Sequence, residues 1–425
     1  MYLFFVRAFN DIDHISPIVW KMNCNGYPVA LYCINPEYDI HSDYRLSFLD
    51  SEGVTVDFLY NNFDDEFGPI HRFLRSAMFH CYRIHKYLMR VRQRGMTAIS
   101  GKLAKSARMT GKLIYAILKA FFYKEAWARN IIEKTGARAL CFDHVRPKQY
   151  IVNVLIKAAR ENSIPTLALP HGIFIYTNNS VKTGSTEEER FDKFNRFDHI
   201  ITQNQLRKDV LARAGVQREK ISVLGSARYC DEWMIQNKKI LPRKMGAFRG
   251  SNGKLKAVFM TTRFAYRIDV DRMLKTFDLL SLMQGIEVLV KPHTRTGKEG
   301  GIYDGIPLAN AADISSVELC EWADVMLVIA SSIIIESLVL NKPALYLKYL
   351  HANTTQYEEL GACWMIRDEA ELKDALLTLI NNKDKVPYGT DNINTFLSEI
   401  IYGGIAKRDV LRDYEQFIVR SAHKS

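Results

Sequence analysis

The sequence predicts an α/β protein made of two parallel-sheet domains joined by a linker, with a C-terminal helical region able to cross back. Three observations carry this. Short apolar, β-branched runs alternate with helical stretches through most of the 425 residues, the pattern of buried parallel strands with crossover helices. A polar, basic, Gly-containing stretch at 238–256 interrupts that alternation once. After residue 391 the strand pattern stops and only helical periodicity remains.

The elements follow in order. Strands are expected at 2–6, 29–34 and 54–60, then two long helical segments at 70–92 and 102–135. A strand at 139–142, a helix at 150–161 and a strand at 166–169 come next, then a strand at 200–202, a helix at 205–214 and a strand at 222–224. Beyond the linker, strands fall at 257–260, 287–290, 325–329 and 344–347. The domain reading is therefore 1–237 with a basic helical insertion at about 68–135, a linker at 238–256, a second domain at 257–390 and C-terminal helices at 391–425.

The chain is long enough for two or three cores of its own, and its composition is that of a globular protein. The segment Met1–Val6 has no basic flank and reads as a strand, not a signal peptide. No apolar run reaches the ~18 residues of a spanning helix, so a cytoplasmic protein is expected. Seven scattered cysteines with no Cys-x-x-Cys spacing point to reduced thiols and away from a zinc site.

The net charge is +11, and one window accounts for it. From Gly68 to Lys124 there are thirteen Lys and Arg and no acid, leaving the rest of the chain slightly acidic. The aromatics of this window (Phe73, Phe79, Tyr82, Tyr87, Tyr115, Phe121, Phe122) have helical spacing and read as a core face, not as a base-stacking platform. Nucleic acid is therefore not the expected partner. An anionic membrane surface or a lipid-linked glycan is, with the protein peripheral at the inner membrane.

Candidate chemistry clusters at strand ends. The apolar run ending at Ala330 breaks into Ser331-Ser332, with Glu336 one turn further on. Serines at a helix start serve as N-caps, but free amides and hydroxyls there also suit a phosphate. Lys291-Pro292-His293 ends an earlier strand and adds cationic donors to the same crevice, which favours a nucleotide-phosphate site with Glu336 on the ribose. In the first half, His171 follows a strand between Pro170 and Gly172, where it is a candidate base or anion donor. Arg228 and the adjacent acids Asp231 and Glu232 follow the last strand of that half, and Arg263 follows the first strand of the second. Asp143 and Arg146 occupy a comparable strand end.

Lys291-Pro-His293 followed by Ser331-Ser332-x-x-x-Glu336 resembles bacterial GT-B transferases that use cytidine nucleotides. Gly225-Ser-Ala-Arg228-Tyr-Cys-Asp231-Glu-Trp233, with Leu169-Pro-His171-Gly172, looks most like the retaining β-Kdo transferases of capsule and lipopolysaccharide synthesis. The resemblance implies a GT-B fold of two Rossmann-like domains and transfer of Kdo from CMP-β-Kdo to a glycan or glycolipid acceptor. It also implies Asp231 as nucleophile in a double displacement, with His171 on the acceptor side as its base. Lys291, His293, Ser331 and Ser332 would hold the CMP phosphate, Glu336 the ribose, and Arg228 or Arg263 the Kdo carboxylate. No cofactor and no metal are expected, since no convincing Asp-x-Asp loop is present. A CDP-glycerol-type glycerophosphotransferase is the alternative, and a non-enzymatic polyanion-binding protein the third reading.

Overall fold

The computed structural model describes residues 1–64, 67–93, 98–143, 150–178, 181–183, 191–247, 253–293, 301–303 and 305–423. Arg94, one of the thirteen cations of the basic window, and Arg146 lie outside these residues.

The first sheet has seven strands: β1 (Tyr2–Val6), β2 (Val29–Cys33), β3 (Thr55–Phe58), β4 (Ala139–Asp143), β5 (Thr166–Leu169), β6 (His199–Thr202) and β7 (Ile221–Val223). Their order is β3-β2-β1-β4-β5-β6-β7, and every pairing is parallel. The second sheet has six: β8 (Leu255–Met260), β9 (Ile286–Lys291), β10 (Ala309–Asn310), β11 (Val325–Val328), β12 (Ala344–Leu347) and β13 (Trp364–Ile366). Their order is β10-β9-β8-β11-β12-β13, again all parallel.

Continuous burial of β1, β2, β4, β11 and β12 explains their uninterrupted apolar sequences, because helices cover both faces. Alternate residues of β1 enter two cores: Tyr2, Phe4 and Val6 on one face, Leu3 and Phe5 on the other. Strands β10 and β13 escaped sequence reading because they are only two and three residues long, too short for a strand period to show. The helical segment at 102–135 is two helices, Ala98–Phe121 and Glu125–Thr135, and the helix Phe9–Cys24 links β1 to β2.

The helices Thr390–Ile401 and Val410–His423 return to the first domain. Ser226 N–H donates to Ile401 O (2.7 Å), and Tyr414 Oη donates to Gly225 O (2.9 Å). Gly225 is needed there: its φ is +85°, and a Cβ would overlap the Ile401 carbonyl.

In both sheets the strand order reverses beside the first strand, at β1/β4 and at β8/β11. Loops leaving the C-terminal ends of these strands therefore diverge and open a crevice, the usual ligand position in such sheets. The two crevices face each other.

Candidate functional site

A cavity of about 1520 Å³ lies between the two sheets, lined by loops after β1, β5, β7, β8, β9 and β11. It exceeds the usual volume of a single small-ligand pocket, which leaves room for a donor and an acceptor together.

On the second-domain wall stand Lys291, His293, Ser331, Ser332 and Glu336, all lining this cavity. Strands β9 and β11 are not neighbours; β8 runs between them, so Thr261, Thr262 and Arg263 after β8 fill the middle of the wall. Thr261 fastens the loop after β9: its N–H donates to Lys291 O (3.1 Å) and its Oγ1 accepts from His293 N–H (2.9 Å). Lys291 is buried and donates to Ala312 O (2.5 Å); burial pulls its ammonium down to about 8.

The serines do not open the helix as expected. It starts at Ile334 and runs only to Val339, while Ser331 Oγ accepts from Ile333 N–H (3.4 Å). So short a helix adds little dipole, and the hydroxyls with Lys291 and His293 are what the wall offers an anion. Glu336 is fully buried, and burial raises its carboxyl to about 7; its nearest cation is Arg228, 3.9 Å away.

The first-domain wall was only partly read from sequence. His171, after β5, lines the cavity, and behind it lie Asp11 and Asp143, both buried. His171 Nδ1 is 2.5 Å from Asp11 Oδ1 and 3.2 Å from Asp143 Oδ2, an ion pair with both carboxylates. Arg7 Nε donates to Asp143 Oδ2 (2.7 Å), and Asp11 Oδ2 accepts from the N–H groups of Arg7 and Ala8 (both 3.0 Å).

Burial alone would lower the His171 pKa, but the two carboxylates outweigh it and raise the imidazole to about 9. Burial opposes ionisation of Asp11 too, and His171 and Arg7 still hold it below the ordinary carboxylate range. Burial, then the Asp11 charge, pushes Asp143 up to about 7. At neutral pH His171 is therefore an imidazolium, a proton donor and anion contact. Of the two roles expected from sequence, base or anion donor, this favours the second.

Asp11, Asp143 and His171 are the one group among the described residues whose ligand atoms lie close enough to hold a metal. The His171 ring and the Arg7 guanidinium already contact both carboxylates.

Beside this cluster runs a second chain of charges. Fully buried Arg45 bonds Asp43 (2.7 Å) and pairs with Asp13; Asp13 Oδ2 meets Arg228 (2.5 Å), and Arg228 faces Glu336. Arg228 also stacks on Tyr229, 4.6 Å from the ring centroid. Its charge is thus engaged, whereas Arg263, the other candidate for a sugar carboxylate, keeps a buried Nε without a partner. His14, next to Asp13 on the same wall, is pushed down to about 3, by burial first and then by Arg228.

Asp231 is not brought to this site. It begins the exposed face of the helix Asp231–Ile240, does not line the cavity, and accepts from Tyr402 Oη (3.1 Å). The helix turns Trp233 and Met234 toward the cavity instead.

No family model matches the sequence, and no curated protein matches it. Solved structures do match. The UDP-GlcNAc 2-epimerase of Methanocaldococcus jannaschii aligns at 13% identity and a TM-score of 0.55, covering 100% of both chains. That of Neisseria meningitidis, bound to UDP-GlcNAc, aligns at 11% identity and 0.53, again over 100% of both. A glycosyltransferase from Rickettsia africae aligns at 12% identity and 0.52, covering 100% of this chain and 99% of that one. At such identities the likeness establishes the fold: two Rossmann-like domains about a cleft, the GT-B-like arrangement these enzymes share.

Proposed function

We propose that this protein is a nucleotide-sugar-dependent glycosyltransferase that moves Kdo from CMP-β-Kdo to a glycan or glycolipid acceptor. The observation that carries the reading is the pairing of two walls across one cavity. A hydroxyl- and cation-rich wall with a buried carboxylate (Ser331, Ser332, Lys291, His293, Glu336) faces a wall holding an imidazolium (His171). That one structural neighbour was solved with UDP-GlcNAc supports a nucleotide sugar as the ligand class.

In this reading Glu336 accepts from the ribose hydroxyls, and the serine hydroxyls with Lys291 and His293 hold the phosphate as it leaves. Arg263 takes the sugar carboxylate, because its Nε is unpartnered whereas Arg228 is held by Asp13. His171 presents its charged ring to the acceptor side. Asp231 lies outside the cavity lining, so this reading gives it no role.

A second reading has one observation in its favour. His171 on the cavity wall is backed by the carboxylates of Asp11 and Asp143, a set that can hold and return a proton, as an epimerisation through a sugar C–H requires. Thermal shift with CMP, CDP, UMP and UDP, followed by incubation with CMP-Kdo and lipid-A-like acceptors, CDP-glycerol and UDP-GlcNAc, separates the readings. Stabilisation by cytidine nucleotides and CMP release from CMP-Kdo are expected. Uridine-only stabilisation with epimerised UDP-GlcNAc overturns the first reading in favour of the second.

A further inference from the structure

The hairpin of helices Pro69–Gln93 and Ala98–Phe121 takes no part in the cleft. Met78, Tyr82 and Leu118 on its inner side join the core that holds Leu59 and Tyr60. Its outer side does not look like an ordinary surface. Ile70, Phe73, Ile84 and Tyr87 on the first helix, and Leu103, Met109, Leu113 and Phe121 on the second, are all exposed. These are eight of the thirteen exposed large apolar side chains among the described residues. Phe73 and Phe121 are 72% and 74% accessible, so the aromatic pattern read from sequence as a core face is divided between core and solvent.

The exposed residues are ordered. At about 100° per residue the first four fall within an arc of roughly 100°, and the second four within roughly 120°. Each helix therefore carries an apolar stripe, and exposed cations border it: Arg72 and Arg83 on one helix, Lys105 and Lys112 on the other. Some of the basic residues are neutralised by acids from outside the hairpin. Arg75 pairs with Asp64, Lys86 and Arg90 with Asp39, and Arg108 with Glu37. Arg72, Arg83, Lys102, Lys105, Lys112 and Lys119 have no carboxylate partner among the described residues.

We propose that this hairpin is a docking surface for a lipid bilayer bearing anionic headgroups, with the apolar stripes seated among the acyl chains and the flanking cations on the phosphates. Charge decides the occupant. A second copy of the chain would set like-charged stripes against each other, whereas an anionic bilayer takes up cations and apolar side chains together. No helix among the described residues is long and apolar enough to cross a membrane, so the contact is at the surface.

The test uses the full chain and co-sedimentation with vesicles, and it does not depend on what the cleft does. Vesicles of phosphatidylcholine mixed with phosphatidylglycerol are expected to carry the protein down, and vesicles of phosphatidylcholine alone are not. Lys105→Ala with Lys112→Ala should weaken binding about 25-fold, about fivefold per cation. Phe73→Ser with Phe121→Ser should weaken it about tenfold or more. Both pairs are exposed, so unchanged melting temperatures would show that the fold is intact. No sedimentation with the mixed vesicles, equal binding to phosphatidylcholine alone, or self-association through the stripes with vesicle binding unaffected by either pair would each overturn the proposal.

Discussion

Replacing His171 by Gln should cost stability in a way that depends on pH with a fixed sign. In the fold the imidazole titrates near 9, against 6.5 for the free group, because Asp11 and Asp143 outweigh the effect of burial. That rise is worth about 3 kcal/mol at about 1.4 kcal/mol per pH unit, and about 2 kcal/mol once the one-third exposure of the ring is allowed for. The folded pKa lies above the unfolded one. The stabilisation is therefore complete below pH 6.5, shrinks as pH rises, and is gone above about 9. Urea denaturation of wild type and His171→Gln across that window gives the difference directly, and proton NMR of the ring gives the pKa itself. In Asp11→Asn the ring should titrate closer to 6.5, because the nearer carboxylate has lost its charge. A wild-type His171 titrating at or below 6.5, or a His171→Gln difference that does not change with pH, refutes the ion cluster and with it the imidazolium assigned to the cleft.

Three further substitutions have expected outcomes. Glu336→Gln should stabilise the fold by about 2 kcal/mol above pH 7, because burial penalises the ionised carboxyl only above its ordinary range; denaturant melts on either side of pH 7 check this. The same variant should bind cytidine nucleotides about 10-fold to 100-fold more weakly by calorimetry, having lost charge-assisted acceptance from the ribose. Asp231→Asn should leave turnover within about twofold of wild type and stability within about 0.5 kcal/mol, since its carboxylate meets only Tyr402; a large loss of turnover would restore it as a candidate nucleophile. Gly225→Ala should destabilise by about 3 kcal/mol in urea melts, because it combines a strained φ with a clash against the returning C-terminal chain.

The fold was legible because both sheets are buried on two sides, so the long strands carry continuous apolar runs such as residues 257–260 or Val325–Val328. The second-domain half of the site was legible for the same reason: a polar pair that interrupts such a run, or a Lys-Pro-His that ends one, stands out against it. The first-domain half was not. Arg7 follows β1 directly, and Asp11, Asp13 and His14 lie in a helix rich in buried apolar residues, so none stood out as a site candidate in sequence. The signal was present: β1 sits at the point where strand order reverses, so a charged cluster just after it faces the crevice. Reading it required the strand order, which one chain without pairing information does not supply.

The motif around Arg228 shows the opposite difficulty. Adjacent residues on a helix point about 100° apart, so a stretch such as Asp231-Glu232-Trp233 cannot deliver all its side chains to one cleft. The structure turns Trp233 inward and leaves both acids outside, with Glu232 held by Lys21 (2.7 Å). What the stretch contributes to the site is Arg228, and its role there is to join domains. It lies between Asp13, which is also tied to fully buried Arg45, and Glu336 of the nucleotide wall. Removing one partner from a desolvated pair leaves the other charge buried and uncompensated, at a cost of about 3–5 kcal/mol. Arg228→Ala should thus lower stability at neutral pH and also raise the Glu336 pKa further, because Arg228 is the cation that faces that carboxylate. Infrared titration of the buried carboxyl checks the second effect, and an unchanged Glu336 pKa in Arg228→Ala would show that the two walls are electrostatically independent.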